Sequence, residues 1–190
     1  MSLPKRKYTP EEYLALERQA EHRSEYYGGE IFAMSGASEV HNLIAGNIFA
    51  SLHSQFRGHP CRVYMSDMRV KVSSSGLYTY PDVVAVCGER QFDDLQRDTL
   101  LNPNVIIEVL SSSTEAYDRG NKAVQYRQLP SLAEHLLVSQ EQMHVEQYIR
   151  QADGQWLFSE VSGKDACIHL PSIKAVLALA EIYDNVPFDS

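Results

Sequence analysis

Three short apolar runs constrain the fold of this chain more than any other feature of its sequence. Residues 83–86, 105–107 and 136–138 are apolar at every position. A strand that is apolar on both faces belongs inside a sheet that is covered on both sides. Helical patterns lie before and between these runs. The sequence therefore predicts an α/β fold with a central mixed β-sheet flanked by helices.

Residue patterns at three places predict helices. Thr9 is followed by a proline and two glutamates, which is the pattern of an N-cap and an acidic first turn. Ser38 is the predicted cap of a second helix over residues 39–56, because apolar residues recur there at helical spacing. Asp118 is the predicted cap of a third, polar helix that ends before Pro130.

Glycine pairs and alternating residues predict added hairpins and a surface strand. Gly28-Gly29 and Asp153-Gly154 are predicted hairpin turns. Residues 64–72 alternate and predict one strand, with Arg69 on its polar face. Residues 173–183 are apolar without a clear period, so helix and strand both remain open there.

Length and charge exclude several classes of protein. A chain of 190 residues with 44% apolar residues fits one domain, residues 1–190, or one domain with a small extension. The 17 basic and 25 acidic residues give a net charge of −8, which excludes a protein that coats nucleic acid through bulk charge. The same net charge is compatible with an enzyme that contacts nucleic acid through one local patch. No apolar run approaches the roughly 20 residues of a membrane span, and the basic start lacks the apolar stretch of a signal peptide.

The three cysteines are odd in number and widely spaced. Cys61, Cys87 and Cys167 form no metal-binding pattern. We therefore expect reduced, mostly buried thiols in a cytoplasmic protein.

Two acidic residues stand where the strand pattern calls for apolar side chains. Asp82 precedes one apolar run, and Glu108 interrupts another. A buried carboxylate is costly unless it is paired or binds a cation. If the two strands are neighbours, both acids can face one site that suits Mg²⁺, which prefers one or two carboxylates plus water. Alternatively, Asp82 caps a turn and Glu108 pairs with a basic residue, and the spacing leaves both interpretations open.

The helix after Glu108 adds a cation to the same region. Lys122 and Tyr126 are four residues apart and share one helical face, which can pack back over the strand. A lysine there could orient the attacking water or stabilise charge on a phosphate. A solvated lysine is the alternative.

An ordered set of motifs links these residues to a known family. The set resembles the Uma family of restriction endonuclease-like proteins, a branch of the PD-(D/E)xK nuclease superfamily that is common in cyanobacteria. The resemblance covers residues 8–186, nearly the whole chain. Its motifs are Pro81-Asp82, Glu108-Val109-Leu110-Ser111, Asp118-Arg119-Gly120 with Lys122, and Tyr126-Arg127.

The resemblance implies a restriction-endonuclease-like core with Asp82 and Glu108 as metal ligands. The superfamily lysine normally follows the second acid by two residues, where this chain has Leu110. Lys122 matches the position that this branch uses instead. The further residues implied or suggested are auxiliary Glu30, His41 and Tyr126 and phosphate-binding Arg119 and Arg127.

The expected function is hydrolysis of phosphodiester bonds in DNA by an endonuclease that needs Mg²⁺, with Mn²⁺ as a substitute. We expect weak, salt-sensitive DNA binding and a homodimer, since cutting two strands calls for two sites. Two alternatives are a non-catalytic interaction or regulatory module with the nuclease fold and a metal-dependent hydrolase of small phosphoesters.

Overall fold

The computed structural model describes residues 6–188 and contains five helices and thirteen strands within that range. The helices are α1 (Pro10–Glu17), α2 (Glu39–Gln55), α3 (Glu115–Tyr117), α4 (Ala123–Tyr126) and α5 (Leu179–Ile182), with a π-helical turn, Asp118–Lys122, between α3 and α4. The strands are β1 (Ser24–Tyr27), β2 (Glu30–Ala33), β3 (Cys61–Met65), β4 (Arg69–Val72), β5 (Leu77–Thr79), β6 (Val83–Cys87), β7 (Thr99–Leu100), β8 (Val105–Val109), β9 (Glu134–Val138), β10 (His144–Arg150), β11 (Trp156–Ser162), β12 (Cys167–Leu170) and β13 (Ala175–Ala178).

The three apolar runs form the centre of a six-stranded sheet. Its order is β11-β10-β9-β8-β6-β3, so the strands that carry the runs, β6, β8 and β9, are neighbours. β8 and β9 run parallel, whereas the other pairs in this sheet are antiparallel. Every residue of β8 and β9 is buried. The prediction of central strands in a mixed sheet is confirmed.

Different layers cover the two faces of the six-stranded sheet. On one face, Ile44, Ile48 and Leu52 of α2 join Val83 and Ile107 in a core cluster that also includes residues of β12, β13 and α5. On the other face lies a five-stranded sheet of order β2-β1-β5-β4-β7, together with the segment that carries α4. The second core cluster joins these layers, with members Val70, Val72, Leu77, Val84, Val86, Leu100, Ile106, Tyr126, Leu129 and Leu132. The fold is the predicted α/β arrangement.

Side-chain caps begin the first two helices as predicted. The Thr9 side chain accepts the Glu12 backbone N–H at 3.2 Å, and Glu12 accepts the Thr9 N–H at 2.9 Å. This reciprocal pair satisfies two donors that the first turn of a helix leaves free. The Ser38 hydroxyl accepts the His41 backbone N–H at 3.1 Å and so starts α2.

Both predicted hairpins form, and the C-terminal segment combines strand and helix. β1 and β2 turn at Gly28 and Gly29, whose positive φ angles of 59° and 88° favour glycine. β10 and β11 pair across the turn that contains Gly154. Residues 173–183 contain β13 followed by α5, so neither single alternative describes them.

Two local expectations are wrong. The third helical segment begins at Glu115 rather than at Asp118, which lies inside the π-helical turn. Residues 64–72 do not form one strand, since a turn separates β3 from β4. Arg69, predicted on the polar face of that strand, is buried. Its guanidinium donates to the Tyr80 hydroxyl at 2.7 Å and to the Thr99 hydroxyl at 2.9 Å, which offsets its loss of hydration.

The expectation of reduced thiols is also wrong. Antiparallel pairing of β3 with β6 places Cys61 opposite Cys87, and a disulfide joins them. The two residues are 26 positions apart, so their contact follows from strand pairing and not from a local cysteine pattern. Cys167 is free but exposed, which corrects the expectation that it is buried.

No helix within residues 6–188 is both long enough and apolar enough to cross a membrane.

Candidate active site

Strand pairing brings Asp82 and Glu108 to the same place. Val83 of β6 is paired with Ile107 of the antiparallel strand β8. Asp82, which precedes Val83, therefore lies opposite Glu108, which follows Ile107. One Asp82 carboxylate oxygen accepts the Val109 backbone N–H at 2.7 Å. Both acids line a single cleft of about 1510 Å³. The two acids therefore face one site, and the backbone group that Asp82 binds belongs to the neighbouring strand β8 and not to a turn.

Lys122 extends into this cleft from the π-helical turn. Its ammonium lies 2.9 Å from Glu108 Oε1, 3.4 Å from Asp118 Oδ1 and 3.5 Å from Glu25 Oε1. Only 5% of Lys122 is exposed, so it is not a solvated surface lysine. The structure thus places one ammonium among three carboxylates.

Burial and charge set the protonation of the central pair. Burial raises the pKa of Glu108 to about 8, with Asp82 and Asp118 adding repulsion and Lys122 opposing the rise. Burial alone would lower the pKa of Lys122, but attraction to Glu108, Glu25 and Asp118 outweighs it and holds the pKa well above its usual value. Lys122 therefore stays charged and serves as a hydrogen-bond donor.

Tyr126 fixes the second acid. Its hydroxyl donates to Glu108 Oε1 at 2.6 Å, and the ring is fully buried. Burial raises the pKa of Tyr126 well above its usual value, so the phenol keeps its proton. Tyr126 and Lys122 thus both contact the same carboxylate oxygen.

His41 contacts the first acid from the start of α2. Its Nε2 lies 3.1 Å from Asp82 Oδ2. Among the residues that the structure describes, none hydrogen-bonds the buried His41 Nδ1. With a proton on Nε2, the imidazole donates to Asp82 Oδ2, the same oxygen that accepts the Val109 N–H, so both contacts hold one oxygen of that carboxylate.

The two arginines expected to bind phosphate and one expected auxiliary acid are placed less favourably. Arg119 lines the cleft but is ion-paired with Glu115 at 2.7 Å and with Glu146 at 2.5 Å. Arg127 lies over the Tyr148 ring at 5.0 Å and does not line the cleft. Glu30 pairs with Tyr27 in the first hairpin and is also absent from the cleft lining.

Two acids that sequence reasoning missed complete the surroundings of Lys122. Glu25 of β1 accepts hydrogen bonds from the Thr79 hydroxyl and, at 3.1 Å, from the Tyr117 hydroxyl. It contacts Lys122 from the five-stranded sheet, and no local sequence pattern predicts that contact. Asp118 stands four residues before Lys122, so its helical spacing could have indicated a contact.

The donor chemistry of the cleft fits a hard divalent cation that keeps much of its water. No group of three or more His, Cys, Asp or Glu side chains within residues 6–188 is arranged to hold a metal ion. Asp82 and Glu108 alone nevertheless supply the one or two carboxylates that Mg²⁺ commonly takes from a protein. Lys122 contacts Glu108, so an ion would share that carboxylate with the ammonium. An all-protein zinc cage does not fit these residues.

Comparison with solved structures identifies the class of fold. A crystal structure of a putative nuclease belonging to DUF820 from Anabaena variabilis superposes with a TM-score of 0.74. It covers 91% of this chain and 96% of its own, at 19% sequence identity. The six-stranded sheet and its covering layers therefore have the same fold as that protein.

Comparison of sequences identifies the family. Residues 10–180 match the model of the Uma2 family, described as "Putative restriction endonuclease". Two uncharacterized proteins of Synechocystis sp. are similar along their length. Protein sll1609 is 37% identical over 166 residues, 87% of this chain and 94% of its own, and slr1290 is 35% identical over 187 residues, 98% and 97%. The chain belongs to the Uma2 family.

Proposed function

We propose that this protein is a Mg²⁺-dependent endonuclease that hydrolyses phosphodiester bonds in DNA. One observation carries the proposal: the Lys122 ammonium lies 2.9 Å from Glu108, beside Asp82, in one cleft. Two acids and a lysine from three chain segments meet there, although the lysine is not in the position usual for the superfamily. Membership of a family described as restriction endonucleases supports the same class of reaction.

Each residue has a distinct role in the proposed reaction. Asp82 and Glu108 would hold the ion, which when bound lowers the pKa of water and polarises a phosphoryl oxygen. Lys122 donates to the attacking water or to the phosphate, where negative charge develops. Tyr126 keeps the Glu108 carboxylate oriented, and His41 with the Val109 N–H does the same for Asp82.

Cleavage assays with paired variants test this function. Supercoiled plasmid and circular single-stranded DNA are incubated with wild type, Asp82→Ala and Glu108→Gln in Mg²⁺ or Mn²⁺. We expect wild type to cleave and both variants to lose at least about 100-fold in rate, the scale of removing one group that stabilises the transition state. Glu160→Gln, a change of the same chemistry at an exposed position of β11, should cleave as wild type does.

The same assay decides against the proposal if wild type cleaves neither DNA with either metal, or if Asp82→Ala cleaves as fast as wild type. The first result favours a non-catalytic module that keeps the nuclease fold.

The acidity of the cleft favours one second candidate, a hydrolase of small phosphoesters. Nine residues that line the cleft are Asp or Glu, whereas three are Lys or Arg. A substrate with a single phosphate suffers less repulsion there than a long polyanion. Hydrolysis of a chromogenic phosphodiester without cleavage of either DNA would establish this alternative.

A further inference from the structure

Exposed aromatic side chains cluster beside the candidate active site. Four large aromatic residues stand out as exposed within the described part of the chain: Tyr27, Phe32, Tyr117 and Phe158. The first three line the cleft, and Phe158 lies elsewhere, on β11. Exposure of 44% for Tyr27 and 47% for Phe32 leaves each ring a face that no core residue covers.

The register of the first hairpin explains why these rings share the cleft with the lysine. Phe32 pairs with Glu25, and Tyr27 follows Glu25 by two residues. Side chains at such positions stand on one face of a hairpin. Glu25 faces Lys122, so Tyr27 and Phe32 stand on the side of the candidate active site. Tyr117 approaches from the other wall and donates its hydroxyl to Glu25.

The cleft offers little free positive charge to a duplex. Its acidic side chains outnumber its Lys and Arg side chains by nine to three. Each basic residue has a carboxylate partner within 3.2 Å, in the pairs Arg23–Asp67, Arg119–Glu146 and Lys122–Glu108. Binding to duplex DNA relies on Lys and Arg that neutralise phosphates. The walls of this cleft therefore match bases better than they match two phosphate backbones.

We propose that the cleft binds an unpaired segment of a DNA strand, whose bases stack on Tyr27 and Phe32 while one phosphate reaches Lys122. This inference rests on the proposed nuclease function and names its substrate as single-stranded rather than duplex DNA. Stacking on aromatic rings tolerates any base, since every base has a π face. The mode of binding needs few cations, in agreement with the paired state of Arg23 and Arg119.

The inference is tested by measuring DNA binding without cleavage, first as a function of salt concentration and then in variants of the aromatic rings. Fluorescence anisotropy is measured with a labelled single-stranded oligonucleotide and with the matching blunt duplex, in Ca²⁺. We expect tighter binding of the single strand. The slope of log K against log salt should be about −2 or shallower, the limit for three cations at roughly 0.7 each.

Ring variants give the second readout. Tyr27→Ala and Phe32→Ala should each weaken binding of the single strand, by a factor between about 5 and 150, the range for loss of one stacked base. Phe32→Trp should keep the affinity, because it keeps a stacking surface. Phe158→Ala removes a ring of similar exposure, 49%, that does not line the cleft and should leave the affinity unchanged. Thermal melting of each variant checks that the fold is intact.

Duplex binding as tight as that of the single strand overturns the inference, as does unchanged affinity of Tyr27→Ala and Phe32→Ala. Cleavage separates this failure from failure of the proposed function. Duplex cleavage that depends on Asp82 and Glu108, with no effect of the ring variants on binding, would support the proposed nuclease and contradict the single-strand inference. If the rings bind the single strand but no DNA is cut, the nuclease proposal falls alone.

Discussion

At the scale of single residues, Glu108 shows how a carboxylate is tolerated inside this fold. It is 2% exposed, and its Oε1 contacts both the Lys122 ammonium and the Tyr126 hydroxyl. Lys122 is buried too, so each charge of the pair offsets the loss of hydration of the other. Removal of one partner of a buried ion pair costs more than replacement of both by apolar groups.

Lys122→Met should therefore lower the free energy of unfolding by about 3–5 kcal/mol. The double variant Lys122→Met with Glu108→Leu should recover part of that loss, because it removes the most buried of the three carboxylates that Lys122 contacts, whereas Glu25 and Asp118 remain. Urea unfolding at pH 9, above the pKa of Glu108, measures both. A loss below about 1 kcal/mol for Lys122→Met, the size of a surface pair, would contradict the buried pair.

His135 of β9 is a second buried polar residue, with a different consequence. Its ring packs against Tyr126 and Tyr148, and no described residue hydrogen-bonds either ring nitrogen. Burial lowers the pKa of His135 to about 3, with Arg127 and Lys122 adding repulsion. The folded protein keeps this imidazole neutral at pH values where the unfolded chain, with its ordinary pKa of 6.5, takes up a proton.

The contribution of His135 to stability should fall as the pH is lowered from 6.5 towards 3, because at this residue the unfolded state then binds more protons than the folded state. Glu108, whose pKa is raised to about 8, contributes in the opposite direction above its ordinary pKa of 4.5. One such group contributes up to about 1.4 kcal/mol per pH unit. His135→Phe should remove this contribution, so that its free energy of unfolding gains on that of wild type as the pH is lowered through 7.5, 6 and 4.5 in urea unfolding. Exposed His59→Phe is the control and should leave the slope unchanged. An unchanged slope for His135→Phe would show that the imidazole is protonated in the folded state.

At the scale of elements, pairing of strands that are distant in the sequence creates contacts that no local sequence pattern predicts. β3 and β6 bring Cys61 and Cys87 together, with 3.9 Å between their Cα atoms. The same strand β6 begins directly after Asp82, so the disulfide ties a strand of the site to the edge of the sheet.

The disulfide closes a loop of 26 residues and should contribute about 3–4 kcal/mol in the chain-entropy account. Reduction, or Cys61→Ala with Cys87→Ala, should lower the urea midpoint accordingly, while Cys167→Ser should not. Alkylation of the air-oxidised, denatured protein should modify one thiol before reduction and three after it. Three reactive thiols before reduction would contradict the bond.

The sequence predicted the elements whose signal is local and missed those that depend on pairing. Fully apolar runs indicated β6, β8 and β9 because a strand buried on both faces excludes polar side chains. Asp118 was assigned to a cap because an acid before a helix usually caps it. In the structure it lies within a continuous helical segment and contacts Lys122 instead.

For the candidate site too, the sequence indicates the residues with a local signal and misses those that only strand pairing brings near. Asp82, Glu108 and Lys122 were found from acids in apolar runs and from family motifs, and the structure brings them together. Glu25 was missed, and Glu30 was chosen from the same hairpin. The pairing of β1 with β2 puts both acids on the same face of the hairpin, since Glu25 is opposite Phe32 and Glu30 is opposite Tyr27. Position along the hairpin, and not the face, therefore decides that Glu25 contacts the lysine.

At the scale of the whole molecule, the net charge of −8 and the acidic cleft point the same way. Carboxylates gathered around one ammonium leave excess negative charge that a divalent ion would reduce. Local charge near a bound phosphate then becomes less negative than the formal count. The composition excludes a protein that coats DNA through bulk charge, but it accommodates a nuclease whose affinity depends on metal and on stacking.

The most direct test of the metal-dependent nuclease is Mn²⁺ binding measured by electron paramagnetic resonance, with DNA cleavage followed in the same samples. We predict that wild type binds Mn²⁺ and cleaves, that Glu108→Gln loses both properties, and that Glu160→Gln keeps both. Wild type that binds no Mn²⁺, or Glu108→Gln that binds and cleaves as wild type does, would contradict the assignment of Asp82, Glu108 and Lys122 as the catalytic site.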